Sequence, residues 1–333
     1  MKNVRYKVFN DSIHGAIELH PLSAAILDTV EYQRLRRLKQ LGGAYSVFPA
    51  ASHNRFEHCL GVAWMAQRFI KHLSEKQPEL RVTPLEALCV EVAGLVHDLG
   101  HGVMSHMFDS KFIPARIPGT RWQHEWASVG MLELLWKNNP EVEEEGRAWG
   151  VGPAQVHTIA QLLLGGAGDA PDGFEWIPPH PSRQFLYEIV ANKRSGIDVD
   201  KWDYFLRDSR QLGVPASFDH GRLMLLARVV EDAGGVTTIA YPVKEAWSIY
   251  QMFHTRFNLH KKAYQHRLVV HARLCFSSLI FLINYYYTHT LFFLSLFYTH
   301  THTRQGCSNR RVYGHGGSFG CRSLHNDSRG ACY

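Results

Sequence analysis

The stretch VHDLGHGVMSH, residues 96–106, sets His97, Asp98, His101 and His106 within eleven positions. Imidazole nitrogens and carboxylate oxygens bind divalent cations, and imidazoles carry protons near neutral pH. Neighbours on a helix lie about 100° apart, so His97 and Asp98 can reach one ion only where the helix ends. A cation there also meets the negative end of the helix dipole. A lone His–Asp pair at a helix end is more often a hydrogen bond than a metal site. Two distant residues join it, His58 in HNRFEHCLGV and Asp200 in GIDVDKWDYF. Two imidazoles and two carboxylates make a mixed donor set that suits iron, manganese or zinc and leaves positions for water and substrate.

The elements that must position these residues read as mostly helical. Leu85, Leu88, Val92, Leu95, Val96 and Leu99 recur at three and four, with Thr83 and Glu86 as a capping box, Pro84 in the first turn and Gly100 as C-cap. This pattern predicts a helix over 83–99. Leu60, Ala63, Trp64, Phe69, Ile70 and Leu73 predict a second, with His58 at its entry. Further helical stretches are expected at 23–40, 124–137, 153–164, 184–193, 198–211 and 243–268, a strand at 236–241, and loops at 114–121 and 165–183. On the 198–211 helix, Asp200, Tyr204, Arg207 and Asp208 share one face, and Val199, Trp202, Phe205 and Leu206 the other. Gly100 and Gly102 read as the turn that redirects the chain.

With 333 residues, 45% hydrophobic and 20% charged, the chain has the composition of a folded protein with one large domain or two ordinary ones. Residues 267–333 hold seven Arg, no Lys and one acid, which accounts for the whole net charge of +6. The preceding body is neutral, which argues against strong polyanion binding. Cys59 and Cys89 fall in apolar helical patterns, and no CxxC pair occurs, so the usage reads as reduced and intracellular. The N-terminus lacks the apolar core of a secretory signal. LIFLINYYYTHTLFFLSLFY, near the C-terminus, is apolar but interrupted by polar residues and followed by THTHT, the translation of a CA repeat, so no membrane span is expected. Residues 1–268 therefore read as the folded core and 269–333 as an aberrant tail outside the fold.

The order H…HD…D, carried by His58, His97, Asp98 and Asp200, resembles the metal signature of HD-domain phosphohydrolases. KVFNDSIHGAIELHPL, RLKQLGGAYSVFPAASHNRFEHCLGV, AGLVHDLGHGVMSHMFD, FLYEIVANKRSGIDVDKWDYF and MFHTRFNLHKKAYQH resemble, more closely, the catalytic core of the SAM and HD domain-containing deoxynucleoside triphosphate triphosphohydrolases, over roughly 5–268. The resemblance implies a mostly α, HD-domain helical phosphohydrolase core. It implies hydrolysis of a dNTP to deoxynucleoside and inorganic triphosphate by attack of activated water on the α-phosphorus, with one zinc, iron or manganese ion at the quartet and magnesium accompanying the nucleotides. His124, in RWQHEWAS, matches the family's catalytic histidine, and His101, His106 and Asp109 match the acid and base set around it, which implies that His101 and His106 face the substrate phosphates. Protonation of the departing 5′ oxygen stays open between His106 and His124.

By the same resemblance, Lys201 and Tyr204 contact the substrate, Arg55 and Arg256 its phosphates, and Gln40 and Leu41 the deoxyribose, while Asp208, Tyr264 and Gln265 complete the pocket. Lys7, Val8, Asp28, Gln33 and Arg36 match a GTP activator site. Asn10, Val47, Phe48, Arg222, Lys244, Lys262, His266 and Arg267 match an adjoining dNTP activator site. In the family these nucleotides bridge the subunits of a homotetramer, and the association is with the nucleus, dNTP-pool control and antiviral defence; the cytosol is the alternative location. The chain begins just before KVFND, so the family's SAM domain and nuclear signal are expected to be absent. TIAYPVKEAWS at 238–248 departs from the family, and the tail replaces its C-terminal lobe, which supplies subunit contacts and activator ligands. The rival readings are a catalytically impaired binder of nucleotides or single-stranded nucleic acid, and another HD-type phosphohydrolase.

Overall fold

The computed structural model describes residues 6–282, apart from 167, 169, 273, 277, 280 and 281. The chain divides into two compact units, 1–281 and 282–333, and all that follows concerns the first. It opens on a hairpin that the sequence patterns did not signal, β1 (Lys7–Asp11) antiparallel to β2 (Gly15–Leu19). Asp11 Oδ1 accepts the backbone N–H groups of Ile13 and His14, and Gly15 supplies the left-handed residue of the turn. The helix expected at 23–40 is broken into α1 (Pro21–Leu27), α2 (Val30–Gln33) and a 3-10 turn over Arg34–Arg37. Thr29 causes the break, because its hydroxyl accepts the Tyr32 N–H and starts a new helix.

Two long helices form the centre. α3 (Arg55–Lys76) starts with an Asn54–Glu57 capping box and carries His58 in its first turn. α4 (Pro84–Val96) starts with the expected Thr83–Glu86 box but ends at Val96, not Leu99. His97 is its C-cap, and the bond from Leu99 N to Val96 O tightens the last turn. Gly94 lets the two helices approach, since a Cβ there would lie 3.2 Å from Ala63 Cα.

A π turn over Phe108–Phe112 leads into α5 (Ile113–Arg116), so the predicted loop at 114–121 starts later than expected. α6 (His124–Asn138), α7 (Pro140–Ala148) and α8 (Pro153–Leu164) follow. The segment expected as a helix at 184–193 is instead a 3-10 run over Pro181–Glu188. Asn192 Oδ1 accepts the N–H groups of Arg194 and Ser195, a side-chain turn that competes with helix continuation. α9 (Val199–Leu212) is capped by Asp198, and α10 (His220–Leu226) by Asp219. β3 (Arg228–Glu231) pairs with β4 (Thr237–Ala240), which lies within the predicted strand. The stretch at 243–268 resolves into a 3-10 turn, α11 (Ala246–Leu259) and a π turn over His260–Tyr264, and helix resumes at 267–272.

One apolar core joins these helices, with Trp202, Phe69, Phe205 and Phe185 fully buried, each burial contributing about 1.5–3 kcal/mol. A satellite cluster of Leu41, Ala44 and Ala51 packs on Val269. Among the described residues no helix is long and apolar enough to cross a membrane, and most of the apolar stretch near the C-terminus lies outside them.

Candidate active site

Three elements far apart in sequence bring His58 (α3), His97 and Asp98 (the end of α4) and Asp200 (α9) together. His58 Nε2 lies 3.0 Å from Asp200 Oδ1, 3.3 Å from His97 Nε2 and 3.6 Å from Asp98 Oδ2. His97 Nε2 lies 3.5 Å from Asp200 Oδ1 and 3.6 Å from Asp98 Oδ2. Ligands that share one ion at about 2.0–2.2 Å stand at such separations. The far side of each ring is fixed, His58 Nδ1 on Asp203 Oδ1 at 2.7 Å and His97 Nδ1 on Gly94 O at 2.8 Å. Both partners are acceptors, so each Nδ1 carries a proton and Nε2 is the nitrogen that faces inward, able to ligate a cation that displaces its proton. These residues fit a divalent cation.

The electrostatics agree. Burial pushes the His58 imidazole down, but its bonds to Asp200 and Asp203 and the charge of Asp98 outweigh this, and its pKa is raised to about 10. Burial pushes Asp98 up, yet Arg55, His97 and His101 hold it well below the usual carboxylate range. Asp200 is likewise held low against burial, by His58 and His97. Two carboxylates thus stay charged, and in the metal-free protein protons on the histidines balance them.

Beside the quartet opens a cavity of about 490 Å³, within the range of small-molecule sites. Gln40, Leu41, Arg55, Lys201, Tyr204, Asp208, Arg256, Tyr264 and Gln265 all line it, as do His58, Asp98, His106, His124 and Asp200. Arg55 is buried and engaged, its guanidinium bonded to Asp98, Ser105 Oγ and Gln40 O. Asp208 accepts the Tyr264 hydroxyl at 2.5 Å and meets His53 at 2.6 Å. Lys201 Nζ bonds Asp198 at 2.7 Å. A smaller cavity of about 160 Å³ reaches His97, Asp98 and Asp200 between Asn192, Lys193 and Asp198.

His124 heads α6, its Nδ1 2.9 Å from Asp109 Oδ2. The His101 ring stacks on it at 3.9 Å, and His101 Nε2 lies 3.2 Å from Asp98 Oδ1. Burial, helped by Arg55, holds His101 well below the usual imidazole range. Against burial, bonds from His106 and His124 hold Asp109 below the usual carboxylate range.

Three local expectations change. His101 does not face the cavity; it is fully buried behind His124, whereas His106 is exposed and lines it. Arg207 is not on the cavity wall but fully buried, forked onto Asp203 and bonded to Asp11. Gly100 and Gly102 supply no left-handed turn, which Met104 and Ser105 provide. Their value is close approach: a Cβ on Gly100 would lie 2.2 Å from Ser128 N, and one on Gly102 2.5 Å from the Phe108 ring.

The residues matched to activator sites meet in small groups. Lys7 Nζ bridges Asp28 at 2.6 Å, with Val8 and Asn10 exposed nearby on β1. Gln33 Oε1 accepts Arg36 Nε at 2.7 Å, and the Arg36 guanidinium lies over the Phe56 ring. Val47 and Phe48 pack beside Leu41, with the His266 ring 5.8 Å from Phe48. Arg222, bridged to Glu245, and Lys244 line one open cleft, while Lys262 and Arg267 are exposed. Sequence reading missed Asp203, His14, His53 and Ser105. Asp203 carried a signal, a carboxylate on the apolar side of the 198–211 helix.

This helical fold, with its HD quartet on converging helices, is that of an HD-domain phosphohydrolase, and the HD domain family matches residues 55–148. Residues 55–148 thus carry an HD domain. The chain is 50% identical over 266 residues to the deoxynucleoside triphosphate triphosphohydrolase SAMHD1 of Bos taurus, covering 79% of this chain and 45% of that protein. The SAMHD1 of Homo sapiens is 49% identical over 269 residues, covering 79% and 42%. The SAMHD1 homolog of Dictyostelium discoideum is 38% identical over 262 residues, covering 79% and 46%. The chain thus spans under half the length of these curated relatives.

Proposed function

We propose that the protein hydrolyses deoxynucleoside triphosphates to deoxynucleoside and inorganic triphosphate, using one zinc, iron or manganese ion held by His58, His97, Asp98 and Asp200. The observation that carries this is the cavity itself, which has His58, Asp98 and Asp200 of the quartet and every residue expected to bind substrate on its walls. A divalent cation bound there supplies Lewis-acid polarisation of a phosphate oxygen and lowers the pKa of water.

The chain's own residues do the rest. Arg256 and Lys201 offer positive charge to the phosphates, with magnesium accompanying the nucleotide. Gln40 and Leu41 wall the deoxyribose, where a close fit excludes a 2′ hydroxyl, and Tyr204, Asp208, Tyr264 and Gln265 close the pocket. Arg55 holds Asp98 and so shapes the phosphate end. His124, oriented by Asp109 through Nδ1, keeps Nε2 for the cavity and protonates the departing 5′ oxygen. His101, neutral and stacked on His124, supports that ring, and His106 lies at the mouth.

The proposal extends to regulation. Lys7, Val8, Asp28, Gln33 and Arg36 would take GTP, and Asn10, Val47, Phe48, Arg222, Lys244, Lys262, His266 and Arg267 a dNTP, between copies of the chain in a tetramer. A role in dNTP-pool control, innate immunity and the nucleus follows from the family resemblance. The test is dGTP with manganese or magnesium, followed by separation of products. Free triphosphate is expected, and Asp98→Ala or Asp200→Ala should lose both bound metal and turnover. Orthophosphate or pyrophosphate as the first product would overturn the assignment.

A further inference from the structure

The hairpin turn between β1 and β2 reaches the metal quartet through one buried carboxylate. Asp203, fully buried on α9, has both oxygens occupied. Oδ1 accepts His58 Nδ1 at 2.7 Å and Arg207 Nε at 2.9 Å, and Oδ2 accepts His14 Nε2 at 2.7 Å and Arg207 Nη2 at 2.9 Å. His14 is itself built in. Its side chain is 2% exposed, its ring packs 4.9 Å from that of Trp64, and its backbone is held by Asp11, whose other oxygen accepts Arg207. Gly61, on the α3 turn after His58, completes the arrangement, because a Cβ there would lie 2.0 Å from Asp203 Oδ2. Sequence, turn, helix and glycine thus converge on the orientation of one carboxylate.

We propose that His14 and Asp203 are positioning residues for the metal centre: together they fix the Nδ1–H tautomer of His58 and the direction in which its Nε2 lone pair points. A carboxylate can only accept, so Asp203 holds the proton on Nδ1, and loss of such a partner frees the other tautomer. The Arg207 fork sets the plane of the carboxylate, and His14 fills the remaining acceptor direction on Oδ2. Partners of this kind alter metal affinity by about 10- to 100-fold. The inference rests on the metal reading of the quartet.

The test is manganese affinity, by titration of the metal-free full chain against a competing chelator, with circular dichroism and melting of the same samples. Asp203→Asn should bind manganese about 10- to 100-fold more weakly. His14→Leu, which leaves the Arg207–Asp203 pair whole, should also weaken binding, whereas His14→Gln, with an amide N–H where Nε2 stands, should retain most of it. If Asp203→Asn does not fold, the two His14 variants decide. Folded His14→Leu with wild-type affinity overturns the proposal, as does His14→Gln falling as far as His14→Leu. Failure of the wild-type chain to bind manganese, iron or zinc would instead overturn the metal reading itself, and the positioning role with it.

Discussion

His101 and His124 are stacked imidazoles whose surroundings divide their roles. Burial and Arg55 keep His101 neutral, while His124 touches the cavity and has Asp109 behind it. His124→Ala is therefore expected to lower kcat by roughly 10²- to 10⁴-fold with metal content unchanged. Equal loss of bound metal would move His124 from proton transfer to ligation. Asp203 carries a pH prediction. Burial pushes it up, but Arg207, His14 and His58 outweigh this and hold it well below 3.8. A folded-state pKa depressed below the unfolded value gives stability that is complete above that value and is lost as pH falls through the folded pKa. The stability gap between metal-free wild type and Asp203→Asn should thus be widest above pH 3.8 and narrow below it. Parallel denaturation curves across that range would contradict the charge state.

At the scale of elements, α4 was legible from its start. Proline, capping box and apolar period all agreed, and only its last turn, tightened at His97, was misread. α9 was equally plain, though its pattern could not tell that Arg207 turns inward, because an inward carboxylate at Asp203 compensates it. The 23–40 stretch misled because apolar period alone does not register a threonine that caps. The β1–β2 hairpin was invisible because each strand has five residues and little alternation. Gly100 joins the end of α4 to the start of α6, with Ser128 Oγ accepting its N–H at 2.8 Å and itself bonding His97 O. Gly100→Ala would push α6 outward, since its Cβ would lie 2.3 Å from His124 O. A destabilisation of about 1–3 kcal/mol is expected, with a fall in kcat as His124 shifts. An unchanged melting temperature would show that the contact relaxes at no cost.

At the scale of the molecule, three helices that share no local sequence converge on four ligands and leave a cavity of about 490 Å³ beside them. The four candidate ligands were legible because metal binding demands particular residue types. The supporting groups were not, because His14, His53 and Asp203 resemble ordinary polar residues until the fold brings their partners to them. The net charge of +6 sits in the last 67 residues, and the body that holds the cavity with Arg256 and Lys201 is neutral overall. Hydrolysis at the α-phosphorus over this quartet can be checked directly by turning over dGTP in heavy-oxygen water. Mass spectrometry should find the solvent oxygen in the released triphosphate and none in the deoxynucleoside. Label in the deoxynucleoside, or products other than these two, would contradict the account.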